Sequence, residues 1–115
     1  MCQRVNKTIK CRIKEKSLIA RVAAAKLGSR QVAIVIGRTI HLHNTSAADF
    51  LANSRWVRHE AAHVRQFHQY GFIPFVIKYL VESMKKGYRN NRYEVEARAA
   101  EADLNITSGM LISAE

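Results

Sequence analysis

The stretch His59-Glu60-Ala61-Ala62-His63 places two imidazoles four residues apart, with a carboxylate beside the first. On a helix, side chains at i and i+4 project from one face, so both imidazoles can converge on one tetrahedral Zn²⁺. Glu60 lies too close in sequence to His59 to complete the same coordination set well. It can instead reach a water that the metal acidifies and take its proton as the water attacks a carbonyl. An accidental HExxH in a chain with this His and Glu content has a chance of roughly one in a hundred. The pattern therefore predicts metal-assisted hydrolysis, with His59 and His63 as ligands and Glu60 as general base.

Two histidines leave such a site short of a ligand. Position 69 is Gln, and the Gly-x-x-His continuation that would bring a third histidine does not follow. The candidates are the acidic residues of Asn91-Arg92-Tyr93-Glu94-Val95-Glu96-Ala97-Arg98. Glu94 and Glu96 point to different faces of a helix, so they cannot both be primary ligands. Asn91 and Glu94 also have the spacing of an N-cap and its capping-box acid.

With these motifs the chain resembles the gluzincin class of zinc peptidases, in the branch of the CAAX prenyl proteases and the single-domain minigluzincins. There a downstream helix supplies a glutamate as third ligand, within a pattern like Glu-x-x-Ala-Asp or Glu-x-Glu-Ala-Asp. Glu94-Val95-Glu96-Ala97-Arg98 aligns Glu94 with that ligand, and Arg98 stands where the pattern has Asp. The resemblance implies a zinc-dependent peptidase with one Zn²⁺ per chain and a peptide or protein substrate. It also implies a strand edge beside the zinc that receives the substrate in extended form. Arg38, Thr39, Ile40, His41, Leu42, His43 and Asn44 are the nearby candidate for that edge, with His41 and His43 on its wet side. Tyr88, Tyr93 and Arg98 are candidates to assist a developing oxyanion or support the ligands.

The elements that must position these groups follow from periodicity and punctuation. Ser17 to Leu27 carries apolar residues at helical spacing and ends at Gly28. Gln31 to Ile36 is β-branched, Gly37-Arg38 is a turn, and Thr39 to His43 alternates, which together predict a β-hairpin. Ser46 with Asp49 opens a long helix that meets no Gly or Pro until Gly71 and carries the HExxH motif at its middle. Pro74 suits the first turn of a third helix running to about Lys86, with Gly87 beyond it. After a polar loop, Tyr88 to Asn91, a fourth helix covers Tyr93 to about Asn105. The expected fold class is α+β and mostly helical: an N-terminal helix, a hairpin, the HExxH helix and two more helices. Residues 17–105 form the expected zincin-like domain, residues 1–16 a flexible basic arm, and residues 106–115 a tail. Trp56, Phe67, Tyr70, Phe72, Phe75 and Tyr79 have core spacing and are assigned no chemistry.

Composition narrows the remaining readings. The 115 residues are 48% hydrophobic and 24% charged, with one Pro and five Gly, which excludes disordered and collagen-like classes. Nineteen Lys+Arg against nine Asp+Glu give a net charge of +10, a balance that invites a nucleic-acid reading. The charge is uneven, however: +5 in residues 1–16, +9 in 17–93 and −4 from Glu94 onward, so a polyanion-binding role is not favoured. The rivals to a peptidase are thus a catalytically idle zinc-site scaffold or interaction protein, and a basic nucleic-acid-associated protein. Cys2 and Cys11 are too close to staple a core and are expected as reduced thiols in a cytoplasmic chain. The N-terminus has no secretory apolar region. The longest apolar run, Phe72 to Val81, is interrupted by Pro74 and Lys78 and is too short to span a membrane. A buried helix is expected there, with a partner or a membrane surface as other ways to cover it. Oligomeric state is not legible.

Overall fold

A computed structural model describes residues 8–114. Among the described residues the fold is α+β, with five helices and a four-stranded sheet in the order β2-β3-β1-β4.

Strand β1 (Ile9–Lys14) alternates strictly. Ile9, Cys11 and Ile13 are buried, and Lys10, Arg12 and Lys14 face outward. It runs parallel to β3 on one side and to β4 (Met110–Ala114) on the other. Residues 9–14 are therefore not a flexible arm, and residues 110–114 are not a tail: each is a strand of the sheet. Their period-two burial outweighs the run of cations, whose long stems reach solvent from the outer face. Residues 1–7, Cys2 among them, lie outside the described residues, and Cys11 is a buried free thiol.

Helix α1 (Leu18–Leu27) begins where the Ser17 hydroxyl accepts the Ala20 N–H at 3.3 Å. It ends at Gly28 with φ 66°, the left-handed conformation that glycine adopts without strain. Strands β2 (Val32–Ile36) and β3 (Thr39–His43) form the expected antiparallel hairpin, in register from Val32↔His43 to Ile36↔Thr39.

The long helix expected from Ser46 to Tyr70 is divided. Helix α2 (Ala47–Ala52) stops at Asn53, which leaves helical geometry at ψ 88°. The Asn53 side chain then caps α3 (Ser54–Tyr70) by accepting the Trp56 N–H at 3.2 Å. An Asn whose side chain offers the next turn a cap competes with helix continuation. Helix α4 (Phe72–Asn90) bends at Gly87, whose φ of 79° and ψ of 166° are not helical, and α5 (Arg92–Ala100) ends five residues before the expected Asn105. The main core joins β1, β3, Phe50 of α2, Val64 and Phe67 of α3, Phe75 of α4 and Tyr93 of α5. Only Phe75 of α4 is fully buried, so the apolar run 72–81 is not the buried helix its composition suggests.

Candidate metal centre

Helix α3 carries His59 and His63 one turn apart on the face that meets α5. Between these helices three small side chains pack together, Ala62 from α3 and Ala97 and Ala100 from α5. That close approach brings Glu94, in the first turn of α5, onto the two imidazoles. Its Oε1 lies 3.2 Å from His59 Nε2 and 3.2 Å from His63 Nε2, and the three atoms fall within 4.8 Å of one another. Ligand atoms bound to one tetrahedral ion at about 2.0–2.1 Å stand about 3.3 Å apart, so the spacing fits a shared metal. This His/His/Glu group could hold a metal ion.

The outer faces of the rings supply a second, chemical test. His59 Nδ1 lies 2.8 Å from Glu101 Oε2, and Glu101 Oε1 is held by Arg55 Nη2 at 3.3 Å. His63 Nδ1 lies 2.8 Å from Gln66 Oε1. The Gln66 amide is oriented by its own donations, to the Tyr93 carbonyl at 3.1 Å and Glu96 Oε1 at 3.1 Å. Facing acceptors, both Nδ1 atoms carry protons. Neutral rings therefore turn Nε2 lone pairs toward a carboxylate oxygen, an arrangement that needs a cation or added protons between them. Without metal the protons serve. Burial pushes the His59 pKa down, but hydrogen bonding to Glu94 and the nearby carboxylates outweigh it and lift the value to about 9. His63 is raised by the same contest. Glu94 resists its burial and is held well below the usual carboxylate range by hydrogen bonds from both histidines.

Glu60 is buried beside the triad, and burial raises its pKa to about 7 against the pull of His63 and His59. Tyr79 of α4 donates its phenol proton to Glu94 Oε2. Burial and that hydrogen bond push Tyr79 far up, so it stays a neutral donor. Tyr88 is pushed up to about 12, first by burial and then by the charge of Glu94. Asn91, fully buried, locks α5 to α4: its Nδ2 reaches the Tyr79 carbonyl at 3.0 Å and Ser83 Oγ at 2.9 Å, while its Oδ1 accepts the Tyr93 N–H at 2.8 Å. Asn91 thus caps α5, but Glu94 does not close a capping box, because its carboxylate is turned to the histidines.

A cavity of about 280 Å³ opens onto these groups. Its lining combines the polar groups of His59, Glu60, His63, Tyr79, Tyr88 and Glu94 with apolar residues of α1, of α4 and of β2 from Val32 to Ile36.

The expected residues divide accordingly. His59, Glu60, His63 and Glu94 come together, and Tyr88 joins them. Glu96 is exposed and turned to Gln66 and Arg92. Tyr93 is instead a core residue, its ring 5.1 Å from that of Phe75. Arg98 reaches away to the Arg89 carbonyl. The stretch Arg38–Asn44 is not a substrate edge: β3 lies between β2 and β1 and pairs with both. Its His41 is not wet but buried, with Nδ1 2.8 Å from Ser17 Oγ. The edge that lines the cavity is β2, which among the described residues pairs only with β3.

Three further groups at the site have no role in the sequence motifs. Tyr79 shares its core spacing with Phe75, and it does touch that ring while its hydroxyl serves Glu94. Glu101, at the C-cap of α5 and seven residues after Glu94, is the carboxylate that meets His59 Nδ1. Gln66 follows His63 by three residues, a readable spacing on one helix face.

Comparison of the chain with protein-family models, with curated proteins and with solved structures gives no match.

Proposed function

We propose that this chain is a zinc-dependent peptidase of gluzincin type, in which His59, His63 and Glu94 hold the ion and Glu60 is the general base. The observation that carries this reading is the convergence of two Nε2 atoms and one carboxylate oxygen at 3.2 Å contacts, beside a buried glutamate and at the floor of an open cavity. Bound there, zinc would supply Lewis acidity and bring the pKa of a water toward neutrality.

The chain's own residues then have distinct tasks. Glu101 and Gln66 hold the imidazoles with Nε2 inward. Tyr79 holds the second oxygen of Glu94, leaving Oε1 for the ion. Glu60, with its pKa near neutrality, accepts the proton of the attacking water and passes it to the leaving amine. Tyr88 lines the cavity as a neutral phenol and donates a hydrogen bond to the developing oxyanion. An extended peptide pairing with the outer edge of β2 would run past these groups, with an apolar side chain in the cavity.

The test is digestion of an unstructured protein such as casein by the zinc-loaded chain, followed by mass spectrometry of the fragments. Glu60→Gln should retain zinc while cleavage falls by about 10²–10⁴-fold. Cleavage undiminished in Glu60→Gln would remove Glu60 from the mechanism. A chain that holds zinc and cleaves nothing would be a zinc-site scaffold.

A further inference from the structure

The straight part of α4, before Gly87, buries Phe75 and leaves much of its apolar surface uncovered. Ile73 is 62% exposed, Ile77 57%, Leu80 55%, Val81 42% and Met84 86%. At 3.6 residues per turn these five fall within one arc of about 100°, and Lys85 and Lys78 occupy the next part of the circumference. Helix α1 repeats the pattern on a smaller scale, with Leu18 70% and Val22 54% exposed beside Arg21 and Lys26. Exposed Leu27 of α1 and Leu80 of α4 both belong to the lining of the cavity. An exposed apolar arc such as that of α4 marks a docking face.

Charge selects the occupant. The net charge of the whole chain is uneven, but the charge local to these two helices is cationic. That local charge opposes a second copy of the same face and favours an anionic surface. Within α1 and α4 six cations, Arg21, Lys26, Lys78, Lys85, Lys86 and Arg89, stand against one acid, Glu82, which already pairs with Lys86 at 3.6 Å. An apolar arc bordered by Lys and Arg is the pattern of a helix lying in the plane of an anionic lipid interface. Among the described residues no helix is long and apolar enough to cross a membrane. We propose that the exposed faces of α4 and α1 dock this protein onto an anionic bilayer, lying on it without spanning it. The apolar rim of the cavity then sits at the lipid surface, and polypeptide segments held at that surface are the ones presented to the metal centre. The docking itself does not depend on the proposed hydrolysis.

The test is co-sedimentation of the full chain with vesicles of phosphatidylcholine alone and of phosphatidylcholine with about one-third phosphatidylglycerol. Partition onto the anionic vesicles should be at least about tenfold stronger and should weaken with added salt. Ile77→Asp with Met84→Asp should reduce it by about tenfold or more, while circular dichroism and zinc content stay unchanged. Ile77→Ser with Met84→Gln provides a milder pair should the acidic one perturb folding. Equal partition onto both vesicles, or partition untouched by either pair, overturns the proposal. So does a dimer in analytical ultracentrifugation that these variants dissociate without any vesicle binding, since a second copy would then cover the face.

Discussion

The two walls of the cavity are built differently. On the polar wall, built by α3 and α5 with Tyr79 reaching in from α4, the side chains interlock: His59 with Glu101 and Glu94, His63 with Gln66 and Glu94, Glu94 with Tyr79, and Glu101 with Arg55. On the other wall, α1, β2 and α4 present Ala23, Leu27, Val35, Val76 and Leu80, of which Leu27 and Leu80 are open to solvent. A buried polar network tolerates little change, because each member leaves another unsatisfied when it is lost. An exposed apolar wall tolerates substitution and is free to be tuned for whatever rests on it. On the proposed function, metal chemistry belongs to the first wall and recognition to the second.

That division can be broken most severely at the network's centre. His63→Ala or Glu94→Ala should abolish stoichiometric zinc binding, read by metal analysis after gel filtration, whereas Leu80→Ala should leave zinc content unchanged. If both walls mattered equally to the metal, the contrast would vanish.

One shell further out the effect should shrink. Glu101→Ala frees His59 Nδ1 and should weaken zinc by about 10–100-fold in a chelator competition. Glu101→Gln, which keeps an oxygen for Nδ1, should recover part of that loss. An affinity unmoved by Glu101→Ala would mean that Glu101 serves only the α3–α5 packing.

Smaller still is a pH signature confined to the polar wall. The metal-free pKa of His59 is raised from 6.5 to about 9, so its stabilising ion pair is complete below 6.5 and lost as pH rises through 9. Glu60 is raised from 4.5 to about 7, so its contribution likewise fades as pH climbs through 7. Glu94 is lowered, so its contribution is present above 4.5 and lost only as pH falls through its depressed value. Thermal melts in chelator should therefore show stability declining from pH 5 toward pH 9, by an amount on the order of a few kcal/mol. Zinc affinity should move the other way and rise with pH, because the imidazoles must lose protons to bind. Melts that are flat across this range would contradict the interlocked protonation described above.

The polar wall is legible in the sequence and the apolar one much less so, for physical reasons. HExxH is a local pattern on one helix, so His59, Glu60 and His63 can be read from spacing, whereas Glu94 is preferred to Glu96 only through the resemblance to a family pattern. Tyr79 and Glu101 act across helix contacts, and their neighbours in sequence carry no mark of it. The strand pairing is the largest omission. Residues 9–14 alternate as a strand should, but their cations suggest an arm, and the parallel partners lie more than twenty residues away in the chain. Inserting β1 beside β3 buries the strand expected to receive substrate and leaves β2 as the edge. The exposed run of α4 shows the converse: mean hydropathy identifies an apolar helix but does not say which side of it the fold will cover.

The most direct test of the metal centre is an anomalous difference map at the zinc edge from crystals of the chain grown with stoichiometric zinc. A single peak bonded to His59 Nε2, His63 Nε2 and one oxygen of Glu94, with both Nδ1 atoms still facing Glu101 and Gln66, is the predicted result. A zinc peak elsewhere on the chain, or one at the histidines with Glu94 turned away, would contradict it.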